Sequence, residues 1–142
     1  MIPQGLVVAD TSAIARVNSS TAVRNELTRL GRLGLLATCI TIDLEVLYSA
    51  RSPVDYVSIA TARRGAFTDL PLLPEICERA RSIQAELARH SQHRAAGVID
   101  LLTAAAAEHY GASIVHYDRD FDHIAAVTRQ PVRWVAPAGT LA

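Results

Sequence analysis

Leu6-Val7-Val8-Ala9-Asp10-Thr11-Ser12 is the stretch from which the fold can be read. Leu6 to Ala9 are apolar without a break, the pattern of a central strand in a parallel sheet, buried on both faces. The run stops on a carboxylate, and Ser12 can cap a helix beginning near Ala13. Strand, turn and helix follow in that order, with Asp10 at the carboxyl end of the strand. Ligands bind at that edge in open α/β sheets. Asp10 has no basic neighbour in sequence, so a carboxylate held there wants a cation.

The same alternation continues outward. A short helix runs to about Val17 and breaks at Asn18-Ser19-Ser20. Thr21 caps a second helix, with Val23, Leu27, Leu30 and Leu33 at helical spacing. Leu35 to Ile40 read as a second strand, and Thr41 as the cap of a helix holding Ile42, Leu44, Val46 and Leu47. Ser52-Pro53 closes that helix, and another covers Val54 to Ala66. Asp69-Leu70-Pro71-Leu72 is too proline-rich for a central strand and reads as a connection or a sheet edge. Pro74 opens a long helix to about His90, with Ile76, Ala80, Ile83 and Leu87 on its buried face. Val98 to Tyr110 form a helix of small residues stopped by Gly111. Ser113 to His116 make a strand that ends in an acidic loop. A short helix then reaches about Val127, and Val132 to Val135 make the last strand. The pattern predicts an α/β sandwich, a mostly parallel central sheet flanked by helices, in one domain over residues 1–142.

With 142 residues, 50% hydrophobic and 20% charged, the chain can build a real core. Its 14 basic and 14 acidic residues cancel, so any nucleic-acid binding must come from a local basic patch. Every basic residue in that balance is arginine. The lack of lysine removes the Walker phosphate loop and Schiff-base catalysis. It also counts against receiver domains and haloacid-dehalogenase-type phosphatases, families that pair their aspartates with a lysine. Cys39 and Cys77 form no Cys-x-x-Cys pair and read as two buried free thiols in a reducing compartment. Met1-Ile2-Pro3-Gln4-Gly5 lacks the basic stretch of a signal peptide, and no apolar run is long enough to span a bilayer. The expected location is cytoplasmic.

Four elements place a carboxylate at an element boundary. Asp10 follows the first strand, Glu45 lies early in the helix after the second, Asp100 sits in a first helical turn, and Asp118 and Asp120 follow a late strand. Parallel strands bring Asp10, Glu45 and the Asp118 loop to one sheet edge. Carboxylates so close raise one another's pKa and destabilise the site unless a cation neutralises them. Oxygen-only ligands suit Mg2+ or Mn2+. Such a site polarises a phosphoryl oxygen, activates water and stabilises a leaving oxygen, and phosphodiester hydrolysis uses all three. Taken singly, each acid has an ordinary alternative. Asp10 can be a helix cap. Glu45 and Asp100 can be dipole partners in a first turn. Asp118, Asp120 and Asp122 can form a solvated turn, the expected role of Asp122. Specificity lies in the ordered set.

That set resembles a known family. The pattern is an apolar strand with Asp10-Thr11-Ser12, then Thr41-x-x-x-Glu45-x-x-x-x-Ala50, then Asp100-Leu101-Leu102-x-Ala104-Ala105-Ala106, then Tyr117-Asp118-Arg119-Asp120-Phe121-Asp122. It resembles the PIN domain, and within it the VapC toxins of VapBC toxin–antitoxin pairs, over nearly the whole chain. The resemblance implies a three-layer PIN fold and a Mg2+-dependent endoribonuclease. Asp10, Glu45, Asp100 and Asp118 match the catalytic acids, with Asp10, Asp100, Asp118 and Asp120 as metal ligands. Ser12 matches the small hydroxyl that steadies the first aspartate. One departure is Ile99, where a proline is common. The resemblance also implies an RNA substrate, a homodimer and an inhibitory VapB-like antitoxin. The alternatives are a non-catalytic PIN-like module that binds RNA or protein, and a different Mg2+ enzyme such as a phosphatase.

Other residues read less sharply. His90 and His93 have a helical spacing that could hold zinc, but no third ligand is evident. His116 reads as a strand-end or core histidine. Arg51, Arg63, Arg64, Arg94 and Arg119 fall on loops or helix ends, where guanidinium groups can meet RNA phosphates. A solvated face is the expected role for any one of them. Few aromatics are present, and Phe121 and Trp134 are expected in the core or an interface. The second helix and the Asp100 helix are expected to offer small and apolar surface to a partner.

Overall fold

The computed structural model describes residues 3–142; Met1 and Ile2, part of the stretch read for a signal peptide, lie outside the described residues. Strand β1 (Val7–Ala9) leads into α1 (Thr11–Ile14) and α2 (Thr21–Arg32). β2 (Leu36–Thr38) leads into α3 (Ile40–Tyr48) and α4 (Pro53–Ala66), and β3 (Thr68–Asp69) into α5 (Pro74–Arg89) and α6 (Val98–His109). β4 (Ser113–His116), α7 (Asp120–Thr128) and β5 (Val132–Trp134) complete the order. The five strands lie in the order β3-β2-β1-β4-β5, and each pairing is parallel.

The period of two along β1 builds both cores. Leu6 and Val8 face one cluster, with Ile42 of α3, Ile83 of α5, Ala104 of α6 and Phe121 of α7. Val7 and Ala9 face the other, with Val23, Leu27 and Leu30 of α2. Helices therefore cover both faces, giving three layers. Ala104 to Ala107 are buried and have no long side chains, which lets α6 pack closely. Ile76, Ile83 and Leu87 anchor α5, each contributing about 2 kcal/mol of burial. From β1 the chain moves toward β2 and β3, while β4 and β5 lie on its other side. The crevice at the carboxyl ends of β1 and β4 is thus a topological switch point.

Several boundaries and faces differ from the sequence expectation. Asp10, not Ser12, caps α1, because its carboxylate accepts the Ser12 N–H. Ser20 rather than Thr21 caps α2. α3 begins at Ile40 with Cys39 in the cap position. Thr41 lies inside it, its buried hydroxyl 2.8 Å from that of Thr103. Leu33 is 58% exposed where α2 ends, and Leu44 is exposed on α3. Cys39 is buried, but Cys77 is exposed on α5. The small residues of α6 and the apolar stripe of α2 are spent on the cores. Exposed apolar side chains include Leu44, Tyr48, Val54 and Val57 on α3 and α4, and Val98 and Ile99 at the start of α6.

Candidate active site

Asp10 is 3% exposed at the end of β1. Its Oδ2 accepts the Ser12 N–H at 3.0 Å and the Ser12 hydroxyl at 2.7 Å. The same Ser12 oxygen accepts the Tyr117 N–H at 2.8 Å, which ties the loops after β1 and β4 together. Among the described residues, Asp10 Oδ1 is buried with no partner. Burial raises the Asp10 pKa, and the charges of Glu45 and Asp118 add to the effect.

Asp100 enters from the first turn of α6. Burial, the charge of Asp10 and a hydrogen bond with Asp120 push its pKa up to about 8. Asp118 is set by a turn of its own, its Oδ1 accepting the Asp120 N–H at 2.9 Å. The Asp118 N–H donates to Nδ1 of His116 at 3.1 Å. His116 is fully buried, and burial lowers its pKa. Nδ1 is therefore the acceptor of a neutral imidazole, with the proton on Nε2. Asp120 Oδ2 accepts the Gly97 N–H at 3.0 Å, joining the start of α7 to the start of α6. Glu45 stands at the exposed mouth, where its Oε1 accepts the Thr11 hydroxyl at 2.9 Å.

These groups surround a cavity of about 450 Å³ lined by Asp10, Glu45, Gly97, Asp100 and Asp118. Carboxylate oxygens of Asp100, Asp118 and Asp120 lie within 4.8 Å of one another. Neither arginine nor histidine lines the cavity. An oxygen-only donor set with one orphaned buried oxygen fits a hard divalent cation.

All four predicted catalytic acids, Asp10, Glu45, Asp100 and Asp118, line this cavity with Ser12. Asp120 joins through the carboxylate cluster. The four candidate RNA-contact arginines do not line it. Arg51 is exposed and pairs with Asp55 at 3.4 Å. Arg64 lines a different cavity, beyond α3. Arg94 and Arg119 are exposed. Arg63 is a correction: it is buried and paired with Asp43, not solvated. Asp122 is also more than a solvated turn, since it accepts the Trp134 indole N–H at 3.1 Å. Among the described residues no histidine joins a metal-ligating group, and His93 lies beyond the end of α5.

Sequence reasoning missed three residues at the site. Thr11 holds Glu45, and its place between Asp10 and Ser12 was the available signal. Gly97 donates to Asp120 and lets the backbone approach. A Cβ there would lie 3.4 Å from Asp100 Oδ2. Arg16 donates to the Ser12 carbonyl at 2.7 Å and lies 4.3 Å above the Tyr117 ring. No local signal distinguishes Arg16 from a surface arginine.

A parallel sheet with carboxylates gathered at its switch point defines an α/β protein with an acidic centre. The PIN domain model matches residues 7–127. The chain is 44% identical to Ribonuclease VapC21 of Mycobacterium tuberculosis over 131 residues, covering 92% of this chain and 94% of the relative. It is also 44% identical to Ribonuclease VapC51 of that organism over 132 residues, covering 93% and 94%. The fold is similar to a chain of the DNA-bound VapBC of Salmonella typhimurium, with a TM-score of 0.76, 18% identity and coverage of 94% and 100%. It is similar too to a chain of VapBC-1 from nontypeable Haemophilus influenzae, with a TM-score of 0.74, 15% identity and coverage of 92% and 98%. The chain belongs to the PIN-domain family, and within it to the VapC group.

Proposed function

We propose that this chain is a divalent-metal-dependent endoribonuclease and the toxin of a type II toxin–antitoxin pair. The observation that carries the reading is the convergence of Asp100, Asp118 and Asp120 beside the unpartnered Oδ1 of Asp10. The names of the curated relatives support ribonuclease activity. The residues that would hold the ion are Asp10, Asp100, Asp118 and Asp120, and the oxygen donors suit Mg2+, with Mn2+ as the alternative. When bound, such an ion supplies positive charge at a phosphoryl oxygen and makes water more acidic. Ser12 keeps Asp10 in one orientation. Thr11 holds Glu45 at the mouth, where it would complete the metal site or orient a water. Exposed Arg94 and Arg119 are candidate contacts for RNA phosphates, with Arg51 and Arg64, which lie away from the acidic cavity, as further candidates.

The two solved neighbours described above are VapBC complexes, one of them bound to DNA, which supports a cognate VapB-like antitoxin for this chain; a homodimer is part of the same reading. Exposed Leu44, Tyr48, Val54 and Val57 give a protein partner apolar surface. Among the described residues no helix is long and apolar enough to cross a membrane. We place the protein in the cytoplasm, as one domain over residues 1–142.

The test is cleavage of cellular RNA by the purified protein beside Asp100→Asn, with Mg2+ and with a chelator. Cleavage that needs both Asp100 and the metal is the expected result. Equal cleavage by the two proteins would assign the activity to a contaminant.

A further inference from the structure

A second cavity opens at the same sheet edge, on the far side of α3. Thr38 ends β2 and Asp69 ends β3, and the two are paired in register. α3 and α4 wall the space beside them, and its volume is about 370 Å³. Arg63, on α4, is 8% exposed. Its Nη2 donates to Asp43 Oδ1 at 2.9 Å and to Thr38 Oγ1 at 3.0 Å, and its Nε donates to the same Asp43 oxygen at 3.2 Å. The guanidinium carbon stands 4.4 Å from the centre of the Phe67 ring.

If this were only a staple between α4, α3 and β2, its polar atoms would be used up. They are not. Among the described residues, Arg63 Nη1 and the carboxylate of Asp69, an exposed residue, take no hydrogen bond from or to the protein, and exposed Arg64 at the wall forms no ion pair, so these groups meet solvent in the cavity and stand open to a ligand. Partial desolvation, with help from the charge of Asp43, raises the pKa of this exposed carboxylate.

The lining decides the ligand class. Two guanidinium groups and two carboxylates line the cavity, so the charge sums to zero. A free phosphate would meet Asp43 and Asp69, and a metal ion would meet Arg63 and Arg64. A flat neutral group with donors on one edge and acceptors on another satisfies all four. Unpaired nucleobases are such groups, and proteins hold them by stacking on aromatic and guanidinium planes and bonding their edges. Guanine presents N1–H and N2–H side by side, which one carboxylate can accept together. Its O6 and N7 suit the paired donors of an arginine.

Position supplies the link to the acidic site. Asp43 and Glu45 are two residues apart on α3, about 200° around its axis. Asp43 lines this cavity and Glu45 lines the acidic one. One helix, about 10 Å across, separates them. Asp10, Thr38, Asp69 and Asp118 all lie at the carboxyl edge of the sheet, so one RNA strand laid over α3 meets both cavities.

We propose that this cavity is a base-recognition subsite taking a guanine that flanks the phosphate at the acidic pocket. Asp69 reads the N1–H and N2–H edge, and Arg63 and Arg64 face the acceptor edge. The origin of the base rests on the ribonuclease reading above; the pocket chemistry does not.

The test is an NMR titration of the full chain with 5′-GMP, IMP, AMP, CMP and UMP in the presence of chelator. GMP is expected to shift the amides of Thr38, Arg63 and Phe67. IMP lacks the 2-amino group and is expected to bind about tenfold more weakly. Asp69→Asn, which leaves the Arg63–Asp43 pair intact, and Ala60→Leu, which fills the cavity, are each expected to weaken GMP about tenfold. Asp100→Asn is expected to bind GMP as the wild type does. Equal binding of all nucleotides, shifts centred on Asp10 and Asp118, or unchanged binding by Asp69→Asn would overturn the subsite. So would capture of the cavity by an antitoxin peptide in a chain that ignores GMP. Binding of GMP by a chain that cleaves no RNA would defeat the ribonuclease reading and keep the subsite. Cleavage without GMP binding would do the reverse.

Discussion

Ser12 holds Asp10 by one oxygen only: its hydroxyl donates to Oδ2 at 2.7 Å, while Oδ1 stays buried and unpartnered among the described residues. The same hydroxyl oxygen accepts the Tyr117 N–H, so one small side chain orients the first aspartate and fastens the loop that carries Asp118. Ser12→Ala strands a backbone N–H and frees the carboxylate to rotate. The expected cost is about 1–2 kcal/mol of stability. RNA cleavage is expected to fall by about tenfold or more, as when a partner that orients a metal ligand is lost. Urea melts and single-turnover cleavage measure the two effects separately. An Ser12→Ala protein with wild-type cleavage would show that Asp10 needs no such support.

The electrostatics of Asp100 give a pH dependence with a definite sign. Its pKa is about 8 in the folded chain against 3.8 for the free group, so the folded state holds the extra proton. Metal-free stability is therefore expected to fall as pH rises from about 4 to 8. Asp10 is shifted in the same direction. A cation that binds the ionised acids reverses the trend, so Mg2+ should raise the melting temperature more at pH 8 than at pH 5. Asp100→Asn removes the buried charge. It is expected to abolish cleavage, to melt higher than wild type in chelator at pH 8 and to flatten the pH slope. Thermal melts across pH, with and without Mg2+, decide this. A wild-type stability that rises with pH in chelator would contradict the assignment.

Asp10, Asp100, Asp118 and Asp120 were legible because each sits where an element starts or ends, and a boundary is what local sequence marks well; Glu45, expected early in its helix, lies instead in the body of α3 beyond the first turn, so only its place in the ordered set marked it. The unbroken run Leu6 to Ala9 marked the central strand, and Pro71 marked a connection or a sheet edge, where the chain leaves edge strand β3. Cap positions were less legible: Ser12, Thr21 and Thr41 each have the chemistry of a cap, and tertiary partners took them over or neighbours served instead. Ser12 is spent on Asp10 and Tyr117, and Thr41 on Thr103. Burial of Arg63 could not be read, because its compensating groups, Asp43 and Thr38, are 20 and 25 residues away in sequence. The exposure of Cys77 depends on which side of α5 faces α6, which a helix containing both apolar and charged neighbours leaves open.

Gly97 tests how closely the backbone must approach the cluster. Its φ of −68° is ordinary for any residue, so alanine strains nothing in the main chain. The added Cβ would lie 3.4 Å from Asp100 Oδ2 and 3.7 Å from Asp120 Oδ2. Gly97→Ala is therefore expected to leave the melting temperature within a few degrees, because the perturbation is local. Metal affinity is expected to fall by about tenfold, as for other displaced supports of a metal ligand. Mg2+ or Mn2+ titration by calorimetry provides the measurement. Unchanged affinity would mean that Asp120 and Asp100 bind the ion with room to spare.

His116 separates packing from positioning. Its ring packs 5.1 Å from both Phe121 and Trp134, and its Nδ1 accepts the Asp118 N–H. His116→Phe keeps an aromatic ring there and removes the acceptor. It leaves the Asp118 N–H unpaired, at an expected cost of about 1–2 kcal/mol. Cleavage should fall with it, through kcat rather than KM, because Asp118 is displaced while the RNA rim is untouched. His116→Asn gives up ring packing but offers a side-chain oxygen where Nδ1 stood. If His116 acts by holding Asp118, Asn should cleave better than Phe although it is the less stable protein. Melting temperatures and steady-state cleavage of all three proteins would show that inversion. Activity that simply follows stability would reduce His116 to a core residue.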